Sequence, residues 1–170
     1  MIKDKYRTFL RTLKYSYQAC DVQKLGEEDV WRALINPNKN STEYDDKILS
    51  IDYKSGFEPG DIFTWNGTDT YWLVYLRELT EDAYFRSKIR RCRYELYWID
   101  MDQESQNRKI STYAYIRGPV ETKIDSSQKT DIAIDSPNWS LEILMPKNEA
   151  TLKHFKRYQT FSFQGLVWQV

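Results

Sequence analysis

The chain has 170 residues, enough for one domain with a single hydrophobic core that needs no disulfide or metal. Lys plus Arg and Asp plus Glu are 25 each, so the net charge is zero and the surface as a whole is not that of a dedicated nucleic-acid binder. Tyr, Phe and Trp together reach 15%, an excess that favours strands and contact surfaces, while two cysteines and one histidine fall short of the four ligands of a structural zinc site.

From Asp4 to Cys20, apolar or aromatic residues stand at Tyr6, Phe9, Leu10, Leu13, Tyr17 and Cys20. This spacing predicts an amphipathic helix. Its polar side carries Arg7, Arg11 and Lys14, a basic stripe that either faces solvent or meets an acidic partner. Asp21 to Gly26 breaks the pattern. The acids Glu27, Glu28 and Asp29 before an apolar run suit the start of a second, short helix ending near Asn36-Pro37. Asn36 to Asp46 is polar and turn-rich and is expected to be an exposed loop. Residues 1–46 therefore form a helical leader and loop, and 47–170 a β-barrel domain, within one compact unit.

The β-part opens with Ile48 to Tyr53. Gly60-Asp61 leads into Ile62-Phe63-Thr64-Trp65, Asn66-Gly67 supplies a hairpin turn, and Tyr71 to Leu76 returns. A third run from Ile89 to Ile99 completes an antiparallel meander. On it Cys92, Tyr94, Leu96 and Trp98 share a buried face, and Arg91, Arg93 and Glu95 share a charged one. Arg90, Arg91 and Arg93 are the candidate partner- or channel-facing cations of this strand. The acids from Asp100 to Glu104 form a hairpin tip; an EF-hand fails because Ser105 and Ser111 stand where glycine and glutamate are needed. Further strands are expected over Lys109–Arg117, stopped by Gly118-Pro119, over Asp131–Ile134 and over Ser140–Met145. Leu152 to Tyr158 fits either a short helix or an extended segment, and Thr160 to Val170 reads as a terminal hairpin turning at Gln164-Gly165. The fold class is mainly β: a small antiparallel barrel or sandwich with an N-terminal helix and a short second helix.

No phosphate-binding loop is present, and His154 lies between Lys153 and Lys156 without an acid to orient it. Cys92 is the only thiol with basic neighbours, and its strand face buries it. An enzyme is not expected, nor a cofactor. No segment is apolar enough for a signal peptide or a membrane span. The basic run beside Tyr94 and Tyr97 leaves two readings open, phosphate contact with base stacking or a solvated strand face.

Gly60-Asp61, Trp65 with Asn66-Gly67, Trp72-Leu73-Val74, Ile89-Arg90-Arg91-Cys92 and Leu96-Tyr97-Trp98-Ile99 together resemble tailed-bacteriophage neck proteins of the head-closure or head-to-tail connector kind. Glu121-Thr122-Lys123 and the closing Phe163, Gly165 and Val167-Trp168-Gln169-Val170 extend the similarity over most of the chain. Where similar proteins continue past the last strand, this chain stops at Val170. The resemblance implies a non-enzymatic virion protein, made in the host cytoplasm, that assembles as a ring. Its partners would be a portal or adaptor ring, tail proteins, and packaged DNA passing through without sequence recognition. A tail-tube or tail-completion ring protein stands as an alternative, as does a free-standing β-barrel module for nucleic acid or carbohydrate.

Overall fold

The computed structural model describes residues 2–78, 82–101, 107–122, 138–163 and 166–170. Helix α1 spans Ile2–Tyr15, with Asp4 in its first turn and Lys14 in its last, both complementing the helix dipole. Its apolar face buries Phe9 and Leu13, and the Phe9 ring stacks on Tyr84 at 4.0 Å between centroids. The helix ends five residues short of the expected Cys20. Ala19–Lys24 is instead strand β1, because its alternating Cys20 and Val22 point into a barrel while Asp21 points out.

The expected helix after Glu27 is also a strand, β2 (Val30–Pro37). Trp31, Ala33 and Ile35 pack inward at a period of two, and the acids 27–29 lie in the β1–β2 connection rather than at a helix start. That connection turns at Gly26, whose φ of 87° suits a residue without Cβ. Then come β3 (Asp46–Ile51), a one-turn 3-10 helix (Tyr53–Ser55), β4 (Ile62–Trp65), β5 (Tyr71–Arg77) and β6 (Phe85–Arg91). The six strands form a closed antiparallel barrel in the order β1-β2-β3-β6-β5-β4, sealed where Val22, Gln23 and Lys24 pair with Trp65, Thr64 and Phe63. Every strand gives the core at least one side chain: Val22, Ala33, Leu49, Ile51, Phe63, Val74 and Ile89 are all nearly or fully buried. Each large one contributes roughly 1.5–3 kcal/mol by leaving water. The expected boundary at residue 46 thus falls inside the barrel, which starts at Ala19.

The expected single strand from Ile89 to Ile99 is two strands in different sheets. The chain leaves the barrel at Cys92-Arg93 and enters β7 (Tyr94–Met101), which pairs with β8 (Asn107–Thr122), which pairs in turn with β9 (Asn138–Leu144). The alternation on the run survives this change, but its two sides meet different neighbours. Cys92 is buried against Ile62 and Leu73 of the barrel, whereas Leu96 and Trp98 are half-buried on the far side of the second sheet. Gly118-Pro119 does not stop β8; the strand passes through with a register shift between Arg117 and Val120, where a bulge tolerates the missing proline N–H.

One face of the β7–β8–β9 sheet rests on the barrel: Tyr113 stacks on Tyr71 at 3.6 Å, and Leu144 packs beside Ile62, Leu73 and Cys92. The other face is covered by helix α2 (Glu149–His154), whose His154 and adjoining Phe155 lie against Trp98, and by the terminal hairpin of β10 (Thr160–Phe163) and β11 (Leu166–Gln169), whose Phe163 meets Tyr94 edge-on. The short second helix therefore sits near the C-terminus, capped by Asn148 and Thr151 bonding each other's backbone. The expected strand 131–134, the loop tip 125–128 and the turn 164–165 lie outside the described residues, as does most of the acidic tip after Asp100.

Candidate functional site

The connection between β2 and β3, residues 38–45, folds on itself before it touches anything else. Ser41 N–H bonds the Asn38 carbonyl, and the Ser41 hydroxyl accepts from Glu43 N–H at 3.1 Å and donates to Asp46 at 2.7 Å. Short polar side chains that bond nearby backbone give such a loop a fixed shape without regular structure. Its acids Glu43 and Asp45, with Asp46 at the start of β3, then meet three arginines from distant parts of the chain.

Asp46 and Arg90 face each other across β3 and β6, and both are nearly fully buried. The guanidinium donates twice to the carboxylate, from Nε at 2.5 Å and from a terminal nitrogen at 2.9 Å. Tyr75 and Tyr115 rings bracket it at 5.1 and 4.6 Å. A register shift between Val74 and Leu76 skips Tyr75, whose hydroxyl reaches Asp46 at 3.2 Å. Burial pushes the Asp46 carboxyl up, but hydrogen bonds from Arg90, Ser41 and Tyr75 outweigh it and hold the group below its ordinary value. The hydrogen bond to Asp46 raises Arg90 in turn, against the pull of burial. Next to this pair, Arg93 Nε donates to the buried Asp45 at 2.6 Å, and Arg117 lies 3.4 Å from Glu43, which also accepts the Tyr115 hydroxyl. The loop is thereby clamped over the junction of the barrel and the second sheet.

Outside the clamp a cleft opens between this loop and the β4–β5 turn. Asn66 and Gly67 both have positive φ, 51° and 63°, and Thr68 N–H bonds the Trp65 carbonyl at 3.1 Å, the geometry of a primed hairpin turn. Asn66 also bonds the Asp21 backbone through both its N–H and its side-chain oxygen, fixing the turn to β1. The cleft has a volume of about 340 Å³ where Tyr44, Lys47, Trp65, Trp72 and Arg91 meet, with the Arg93-paired Asp45 also in its wall. A separate, mainly apolar hollow of about 460 Å³ lies among β9, α2 and the terminal hairpin. An adjoining recess shares Tyr44, Thr70 and Arg91 and runs on to Tyr71, Tyr94 and Tyr113.

Lys47 Nζ stands 5.4 Å from the Tyr44 ring centre and 5.9 Å from that of Trp72, and the Trp65 and Trp72 rings are 5.7 Å apart. Tyr44 is 88% exposed. Among the described residues neither Lys47 nor Arg91 has a carboxylate within 4 Å, and the buried Trp72 indole N–H has no hydrogen-bond acceptor.

The candidate cations thus separate. Arg91 lines the cleft and is open. Arg93 is exposed but neutralised by Asp45, and Arg90 is a buried structural cation, because its side chain falls on the outer face of β6, where Asp46 pairs with it and Tyr115 of the second sheet covers it. Arg7, Arg11 and Lys14 are exposed on α1, which packs on β1 and β2, and none of them lines the cleft. Tyr44, Lys47, Trp65 and Trp72 were not singled out by sequence as a site; the visible signal was the pair of tryptophans flanking Asn66-Gly67. Burial pushes the Cys20 and Cys92 thiols up to about 11 and about 12, so neither is an available nucleophile at neutral pH. What the arrangement offers is stacking surface and positive charge. Comparison with known proteins gives no match: no family model, no curated protein and no solved structure aligns significantly with the chain.

Proposed function

We propose that this chain is a non-enzymatic structural subunit of a tailed-phage particle, one of the ring-forming proteins of the neck between portal and tail. The observation that carries the reading is where the molecule leaves backbone unpaired. The barrel is closed and has no edge, but β7 and β9 each pair on one side only among the described residues, as do both strands of the terminal hairpin. Such edges invite pairing with another chain unless something covers them. Repetition of the subunit around an axis covers them in a way a free monomer cannot.

The resemblance of the short motifs from Gly60 to Ile99 to those of connector proteins motivates the same reading, as does the two-sided build, with α1 on one flank of the barrel and the open-edged sheet on another. In this arrangement Arg7, Arg11, Lys14 and Arg91 are among the cations available to a neighbouring subunit or to passing DNA. Antibody labelling of purified particles tests the proposal: gold at the head-tail junction supports it, label along the tail assigns a tail-tube role instead, and particles free of the chain overturn it.

A further inference from the structure

We propose that the cleft formed by Tyr44, Lys47, Trp65, Trp72 and Arg91 binds single-stranded nucleic acid, taking an unpaired base against its rings and the flanking phosphates on its two open cations. Three observations converge on that chemistry. First, Lys47 and Arg91 are the cleft's cations without a carboxylate partner, whereas the neighbouring Arg90 and Arg93 are both matched to aspartates. A fold that neutralises two arginines and leaves the adjacent pair of cations open has positive charge to offer an anion. Second, the Tyr44 ring stands almost wholly in solvent at the cleft mouth with the Lys47 ammonium over it, so a planar group stacking on its open face lies beside a cation. Third, the half-buried Trp65 ring lies 5.7 Å from Trp72 and adds aromatic surface to the cleft wall.

The combination discriminates among ligands. A neutral sugar uses the rings but leaves both cations unmatched. A duplex offers phosphates but keeps its bases stacked inside, and a hollow of about 340 Å³ is of small-ligand size. A single strand supplies a free base face and a phosphate on each side of it, which is how sequence-tolerant strand binders combine stacking with charge. The inference is separate from the neck assignment, since it concerns the isolated subunit and stands or falls without any particle.

Fluorescence titration of the purified full chain with a labelled oligothymidylate of about 12 nucleotides, read by oligonucleotide anisotropy and by the summed emission of its six tryptophans, tests it. Neutralising two phosphates predicts a plot of log affinity against log salt with a slope of about −1.4. Y44A, at a side chain too exposed to matter for folding, should weaken binding about 5- to 150-fold. K47Q with R91Q should flatten the salt slope towards zero, while K54Q, which removes a charge from the distant 3-10 turn, should change neither. Circular dichroism confirms that each variant is folded. Absence of binding by the intact chain overturns the proposal. So does affinity unchanged in K47Q/R91Q, equal affinity for a duplex of the same sequence, or equally tight binding of poly-glutamate, which would make the cleft an acidic-protein site.

Discussion

At the scale of single residues, the buried Arg90–Asp46 pair dominates. Its two charges are removed from water, so its net contribution relative to an apolar pair is small, but loss of one partner strands the other. D46N should therefore cost about 3–5 kcal/mol in urea unfolding, far more than E43Q, whose exposed partner Arg117 makes it worth about 0.2–1 kcal/mol. The pH dependence follows from the direction of the Asp46 shift. Its folded value lies below the unfolded one, so the stabilisation is complete above about pH 4 and is lost as pH falls through the folded value. Unfolding curves from pH 6 down to pH 2 should show this loss in the native chain and a flatter profile in D46N. The thiols make a second residue-scale prediction. With both pushed up by burial, Cys20 and Cys92 should react with a thiol reagent at pH 8 only as fast as the protein unfolds, and denaturant should expose both at once.

The same scale explains what sequence could and could not reveal of the site. Alternation along a strand separates Arg90 from Arg91 and Arg93, so a shared face for all three was never compatible with β6. What sequence alone does not supply is the partner: Asp46 lies 44 residues from Arg90 and is brought to it only by the β3–β6 pairing. Arg91 lies in the basic run that sequence marks, but the run itself does not distinguish it from Arg90 and Arg93. Lys47 was not legible, since a lone lysine at the start of a strand carries no signal until the loop before it folds back.

Among elements, the β4–β5 hairpin was legible because Asn66-Gly67 encodes its own turn through two positive φ values. G67A should cost about 1–2 kcal/mol, read as a lowered urea midpoint, because an L-residue resists that conformation even though the space around it is open. Strands β1 and β2 were hidden for the opposite reason. Tyr17 and Cys20 continue the helical spacing of α1, and the acids 27–29 mimic a helix start, yet Val22 and Ala33 are drawn into the barrel by strands far along the chain. Tertiary pairing overrode local pattern there. Helix α1 itself should be held mainly by its apolar face: F9A, which removes the ring stacked on Tyr84, is expected to cost about 3–5 kcal/mol.

For the whole molecule, the closed barrel and the open-edged sheet divide the work. The barrel draws its core from all six strands, whereas among the described residues β7 and β9 of the second sheet are each paired on one side, and that sheet carries the terminal hairpin on its outer face. The mainly β architecture with a leading helix was legible from the aromatic, turn-punctuated sequence. The division into two sheets was not, because nothing in Cys92-Arg93 marks a change of sheet; only the burial of Cys92 against Ile62 and Leu73 gives the crossing its cause. The measurement that reaches the central claim most directly is a cryo-electron microscopy reconstruction of the particle neck with an antibody fragment bound to this chain. The expected result is a closed ring of copies between portal and tail, with the β7–β8–β9 sheet of each copy against its neighbour. A neck built without this chain, or copies whose sheet edges face only solvent, would contradict it.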